Sequence, residues 1–138
     1  MRGDRSRWSP TYGAVVADLR QPITGLGRSF GYALRGMWLA RSGRNIRIHV
    51  LAAVAVGLVA AVRGVTGTRL GLLALTVGVV LAAELFNTAL ERACDLVAEV
   101  YGLGRDERIR DIKDLAAGAV LTVALAAVTV AAALLTEP

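Results

Sequence analysis

Residues 70–95 read LGLLALTVGVVLAAELFNTALERACD. Positions 70–83 carry no charge, and then Glu84, Asn87, Glu91 and Asp95 follow at spacings of three, four and four. A period of 3.6 residues puts all four on one face of a single helix. Such a helix begins inside a bilayer and brings carboxylates to its edge. Carboxylates at that depth are costly to desolvate and mark functional positions.

The rest of the chain agrees with a membrane setting. It has 138 residues, 55% of them hydrophobic, and a mean hydropathy of +0.55, too apolar for a soluble domain of this size. Aromatic residues are only 5%, while Ala, Val, Leu and Gly dominate, which lets helices approach closely through small side chains. The net charge of +5 would suit nucleic acid, but the arginines flank apolar runs and form no stripe with interleaved aromatics. They read as topology signals and contacts to an anionic membrane surface, and no nucleic-acid partner is expected.

Outward from the opening stretch, two more uncharged runs cover 48–62 and 115–136. The last has the roughly 20 residues that cross a hydrocarbon core unaided. The first is short, with Arg47 and Arg63 able to snorkel at its ends. The run at 70–83 spans only if its helix continues to about Tyr101 and leaves the membrane as an extension. Between about Ile23 and Leu39, apolar Leu26, Phe30, Leu34, Met37 and Trp38 recur at helical spacing with Arg28 and Arg35 on another face, as in a helix lying on a membrane surface.

The expected fold is therefore an all-α membrane protein. A basic segment, 1–22, precedes a domain over 23–138: a surface helix at about 23–42 and transmembrane helices at about 46–63, 69–100 and 114–136. The basic residues crowd before Ile48 and between Arg92 and Lys113, while only Arg63 and Arg69 separate the first two spans. This distribution predicts a cytoplasmic amino terminus and a cytoplasmic second loop. Residues 1–21 lack the apolar core of a signal peptide, so no cleaved leader is expected.

Glu84 sits among Ala82, Ala83, Leu85 and Phe86, where a carboxyl loses hydration and is suited to accept a proton. Pairing with an arginine of a neighbouring helix would account for it by packing alone. Asn87 offers a donor and acceptors, or simply interhelical hydrogen bonding. Glu91 and Asp95, four apart, can converge on a hard cation such as Mg2+, or form a solvated acidic face balanced by Arg92. Lys113 can hold a phosphate, and Asp114 can cap the last helix or serve as a polar partner; both also fit a positive-inside anchor. His49 reads as an interfacial side chain and Cys94 as filler. No phosphate-loop signature is present.

The run Glu84-Leu85-Phe86-Asn87-Thr88-Ala89-Leu90-Glu91, then Asp95-Leu96-Val97, then Lys113-Asp114-Leu115-Ala116-Ala117-Gly118-Ala119-Val120-Leu121, closely resembles the bacterial integral-membrane diacylglycerol kinase family, which includes undecaprenol kinases. The likeness extends to Phe30-Gly31-Tyr32-Ala33-Leu34-Arg35-Gly36 and Asn45-Ile46-Arg47-Ile48-His49. It implies a surface helix, three transmembrane helices, and a homotrimer in the bacterial inner membrane whose active sites are shared between subunits. It further implies ATP-dependent phosphorylation of a membrane lipid alcohol. Glu84 would be the general base and Glu91 the ligand of Mg2+ on ATP, with Asn87 and Asp95 supporting the site. Lys113 and Asp114 would contact the phosphates, and Tyr32 and Tyr101 would lie near ATP. Thr88 and the Ala-Ala-Gly-Ala-Val stretch are more similar to the undecaprenol kinase branch, with diacylglycerol as the alternative acceptor.

Two departures accompany the resemblance. The family usually has a glutamate, a second metal ligand, just before Asn-x-Arg-x-His, whereas Arg41-Ser42-Gly43-Arg44 supplies no acid. Three readings follow: one carboxylate suffices, another acid such as Asp95 substitutes, or the chain is a catalytically impaired relative. The loop before Lys113 is also longer, with Gly102-Leu103-Gly104-Arg105-Asp106-Glu107 in place of a Tyr-His pair. A transporter is disfavoured because the acids gather at one interface and do not line a path through all three spans.

Overall fold

The computed structural model describes residues 25–104 and 106–136. The expected basic segment 1–22 lies outside them. Among the described residues every regular element is a helix: α1 Gly25–Ala40, α2 Arg44–Val62, α3 Gly67–Tyr101 and α4 Glu107–Thr136. The chain divides into two units, one ending at Trp38 and the other beginning at Leu39. In the first, α1 carries Leu26, Phe30, Leu34 and Met37 as exposed apolar residues spaced for one side of a helix, as a surface-lying amphipathic helix requires.

In the second unit, α2, α3 and α4 are each long and apolar enough to cross a membrane. At 1.5 Å per residue, the 35 residues of α3 extend about 52 Å, well beyond a hydrocarbon core of about 30 Å. One end of α3 must therefore project, and it is the end bearing Glu91 and Asp95. Threonines inside the apolar runs satisfy their hydroxyls locally: Thr76, Thr122 and Thr129 donate to the carbonyls of Leu72, Gly118 and Leu125, four residues back. Most large apolar side chains face outward, as lipid exposure or contact with further chains demands.

Helix ends follow their glycines. Gly64, at φ 65°, reverses the chain after α2, with the Val65 N–H returning to the Ala60 carbonyl at 2.9 Å. Gly102, at φ 67°, does the same for α3, where the Leu103 N–H reaches the Ala98 carbonyl at 2.8 Å. Both occupy the left-handed conformation that only glycine adopts without strain. The first turn leads into a small core of Ala60, Val65 and Leu73, packed by Val56, Ala131, Leu134 and Leu135 at the end opposite the acids.

Arg69 locks that end. Its Nε donates to the Leu134 carbonyl at 3.2 Å, and Nη2 donates to the same oxygen, which α4 leaves without an intrahelical partner. Arg69→Ala is expected to lower stability by about 1–2 kcal/mol, toward the lower end for a hydrogen bond from a charged group because the side chain is only half-buried. Thermal unfolding in detergent micelles checks this.

The fourth helix starts earlier than the apolar run from Leu115 suggests. Asp106 caps it: the carboxylate accepts the Arg108 N–H at 2.9 Å and the Arg108 guanidinium at 2.8 and 3.1 Å. A cap and a helical polar segment start the helix before it meets lipid. Asp114 therefore lies inside α4, and the capping role considered for it belongs to Asp106. The Arg108 side chain holds the Asp106 carboxyl down to about 2. A lowered carboxyl contributes stability above its ordinary range near 3.8 and loses it as pH falls through the folded value. Amide-exchange protection at Arg108 is thus expected to persist at pH 5 and to fade only toward pH 2.

Candidate active site

The polar face of α3 is built as its spacing requires. Glu84 and Asn87 are almost wholly buried, at 3% and 2% exposure, while Phe86 between them is 73% exposed on the opposite side. Asn87 Nδ2 donates to Glu91 Oε1 at 3.2 Å, so the amide orients the carboxylate one turn further on. Glu84 Oε2 and Asn87 Oδ1 are buried acceptors with no hydrogen-bond partner. An unsatisfied buried polar atom costs about 1–3 kcal/mol. Two of them, one turn apart, form a preformed demand for a donor.

His49, half-buried on α2, lies close enough to Glu84 for their charges to interact, as does Glu91. It also lines one end of an apolar groove of about 360 Å³ between α2, α3 and α4, whose walls include Ala52, Val56, Val80 and Ala127. Cys94 is buried and free, consistent with a filling role.

One turn beyond Glu91, Lys113 Nζ of α4 pairs with Asp95 Oδ1 at 2.8 Å. The two share a polar cleft of about 570 Å³ with Asp114, Asp106 and Arg110. Asp95, Lys113 and Asp114 are therefore brought together, whereas Tyr101 is 73% exposed at the end of α3 and does not line this cleft. Tyr32 lies on α1, in the other unit.

Arg92, which the sequence offered as a balance for an acidic face of Glu91 and Asp95, donates from Nη2 to the Leu39 carbonyl at 2.9 Å across 53 residues. It ties the chain just before α2 to the helix of Glu91. That stretch of chain is tight: the Gly43 N–H donates to the Ala40 carbonyl at 2.9 Å, and a Cβ on Gly43 would approach that oxygen to 3.2 Å. A side chain there, acidic or otherwise, needs the Ala40 carbonyl to give way.

Hard oxygen donors suit Mg2+. Glu91 offers a carboxylate already oriented by Asn87, and Asn87 keeps a spare oxygen. Among the described residues no three His, Cys, Asp or Glu side chains converge on one point. A Mg2+ ion held partly by substrate phosphates needs only one or two carboxylates, so the donor set fits that mode. Asp95, the acid considered as a second ligand, is paired with Lys113 at 2.8 Å.

The sequence model of prokaryotic diacylglycerol kinases matches residues 31–135. The chain belongs to the prokaryotic diacylglycerol kinase family. A diacylglycerol kinase of Synechocystis sp. (strain ATCC 27184 / PCC 6803 / Kazusa) is 42% identical over 111 residues, covering 80% of this chain and 62% of that protein. An undecaprenol kinase of Bacillus subtilis (strain 168) is 32% identical over 109 residues, covering 78% of this chain and 85% of the relative. The chain thus spans less than two thirds of the cyanobacterial relative and most of the Bacillus one. No solved structure matches it. Family membership and three apolar helices together make it a multi-pass membrane protein.

Proposed function

We propose that this member of the prokaryotic diacylglycerol kinase family is a lipid kinase that transfers the γ-phosphoryl group of ATP to a membrane lipid alcohol. The observation that carries the reading is the pair of buried, unpartnered acceptors, Glu84 Oε2 and Asn87 Oδ1, beside the edge of the apolar run. A lipid hydroxyl entering sideways from the bilayer supplies the missing donor. Glu84 takes the hydroxyl proton, the freed oxygen bonds to the γ-phosphorus, and the bond to the ADP oxygen breaks. The products are the lipid phosphate and ADP, with the proton left on Glu84. Glu91 would hold the Mg2+ of ATP, which would supply neutralisation of the triphosphate charge. Lys113 holds the phosphates after exchanging Asp95 for them, while Asp95 and Asp114 border the nucleotide and Asn87 keeps Glu91 aimed.

The acceptor we favour is undecaprenol, supported by the wording of the Thr88 motif and by the 85% coverage of the Bacillus undecaprenol kinase. Diacylglycerol is the second reading, supported by the higher identity to the Synechocystis diacylglycerol kinase. We place the protein in the bacterial inner membrane with its amino terminus and acidic end cytoplasmic, as a homotrimer with shared sites. The arginines flanking the spans and the outward-facing apolar side chains support this arrangement. The test is purified protein in lipid bicelles with Mg-ATP and each lipid in turn. Phosphorylation of undecaprenol above diacylglycerol is expected; transfer to neither overturns the kinase reading.

A further inference from the structure

Helix α4 opens with three cationic side chains, Arg108, Arg110 and Lys113, and their partners divide them into distinct roles. Arg108 is withheld: its guanidinium makes two hydrogen bonds to the Asp106 carboxylate and its own N–H makes a third. A forked pair of that geometry is strong and holds the helix cap. Lys113 is held by Asp95 at 2.8 Å. Arg110 has only a loose contact, 3.7 Å to Glu107, between side chains that are 67% and 82% exposed. Such a pair contributes little and exchanges readily.

Arg110 and Lys113 are three residues apart on α4, so they share a helix face, and both line the polar cleft. The other charged walls of that cleft are acidic: Asp95, Asp106, Glu107 and Asp114. A polyphosphate entering such a cleft meets repulsion unless a cation faces it. Lys113 reaches a phosphate only by giving up its close pair with Asp95, and Arg108 balances Asp106, so the cation recruited without breaking a close pair is Arg110. Its planar fork can take two phosphate oxygens at once, which an ammonium cannot.

We infer that Arg110 is a nucleotide-binding residue, leaving Glu107 to take the polyphosphate of ATP alongside Lys113, while Arg108 serves only the helix cap. The inference rests on the kinase reading above, and its test separates the two. Binding of a fluorescent ATP analogue to the full chain in detergent micelles is measured together with KM for ATP and for the lipid. Arg110→Ala is expected to weaken nucleotide binding about five- to twenty-fold and to raise KM for ATP in parallel, leaving KM for the lipid unmoved. Arg110→Lys recovers part of the loss, and the salt dependence of binding becomes shallower in Arg110→Ala. Arg108→Ala, in contrast, leaves nucleotide affinity within about two-fold and lowers amide-exchange protection at the start of α4. Because the Arg110 side chain is exposed, an unchanged thermal midpoint verifies folding. Wild-type binding with an unaffected Arg110→Ala overturns the inference alone, as does an equal loss in Arg108→Ala. Failure of the wild type to bind nucleotide overturns the kinase reading and this inference with it.

Discussion

Glu84→Gln is expected to abolish measurable lipid phosphorylation, a loss of about 10²–10⁴ in kcat, the range carried by a positioned general base. The amide has the same shape and cannot accept the hydroxyl proton. Burial of Glu84 at 3% exposure makes the substitution cleaner, because an isosteric neutral group leaves the packing between α2, α3 and α4 intact. The thermal midpoint is therefore expected to hold or rise, and binding of the fluorescent ATP analogue, at the polar cleft three to four turns further along α3, to survive. Loss of turnover with retained nucleotide binding is the signature of a missing base. Transfer at more than a tenth of the wild-type rate removes Glu84 from that role.

The second large effect is expected at Glu91. Glu91→Gln keeps an oxygen that can accept the Asn87 amide at the observed 3.2 Å contact, so the local hydrogen bond survives while the charge is lost. Groups that merely orient a metal ligand contribute about 10- to 100-fold in metal affinity. Removing the ligand's charge is expected to cost at least that much. A Mg2+ titration of the phosphorylation rate should show the half-saturating concentration rising by this factor, with partial recovery at high Mg2+. Asn87→Leu should shift the same curve by less, because it frees Glu91 without discharging it. A Mg2+ dependence unchanged in Glu91→Gln assigns the metal elsewhere.

These two carboxylates and Asn87 were legible because helical spacing is a local property. Once residues 70–95 form one helix, intervals of three and four place Glu84, Asn87 and Glu91 on one side regardless of what packs there. The three long apolar helices were legible for a similar reason, since hydrophobic length against bilayer thickness needs no tertiary information. The start of α4 was harder to read. Apolarity marks where the chain meets lipid, whereas the helix begins at a hydrogen-bonded cap, and Asp106 supplies that cap before the apolar run begins.

Partners far apart in the chain were not legible. That Arg92 reaches the Leu39 carbonyl, that Arg69 closes the end of α4 at Leu134, and that His49 lies near Glu84 depend on how helices pack, and a guanidinium carries no mark of its acceptor. The same holds for the three cations at the head of α4, alike in sequence and divided only by which acids fold against them. By itself, the sequence determined an all-helical membrane chain with an acidic helix face at its edge, because periodicity and hydrophobic length act along one segment. The tertiary structure decided which of those charges are spent on one another and which acceptors are left unpartnered, because hydrogen bonds and ion pairs are settled only where separate segments meet.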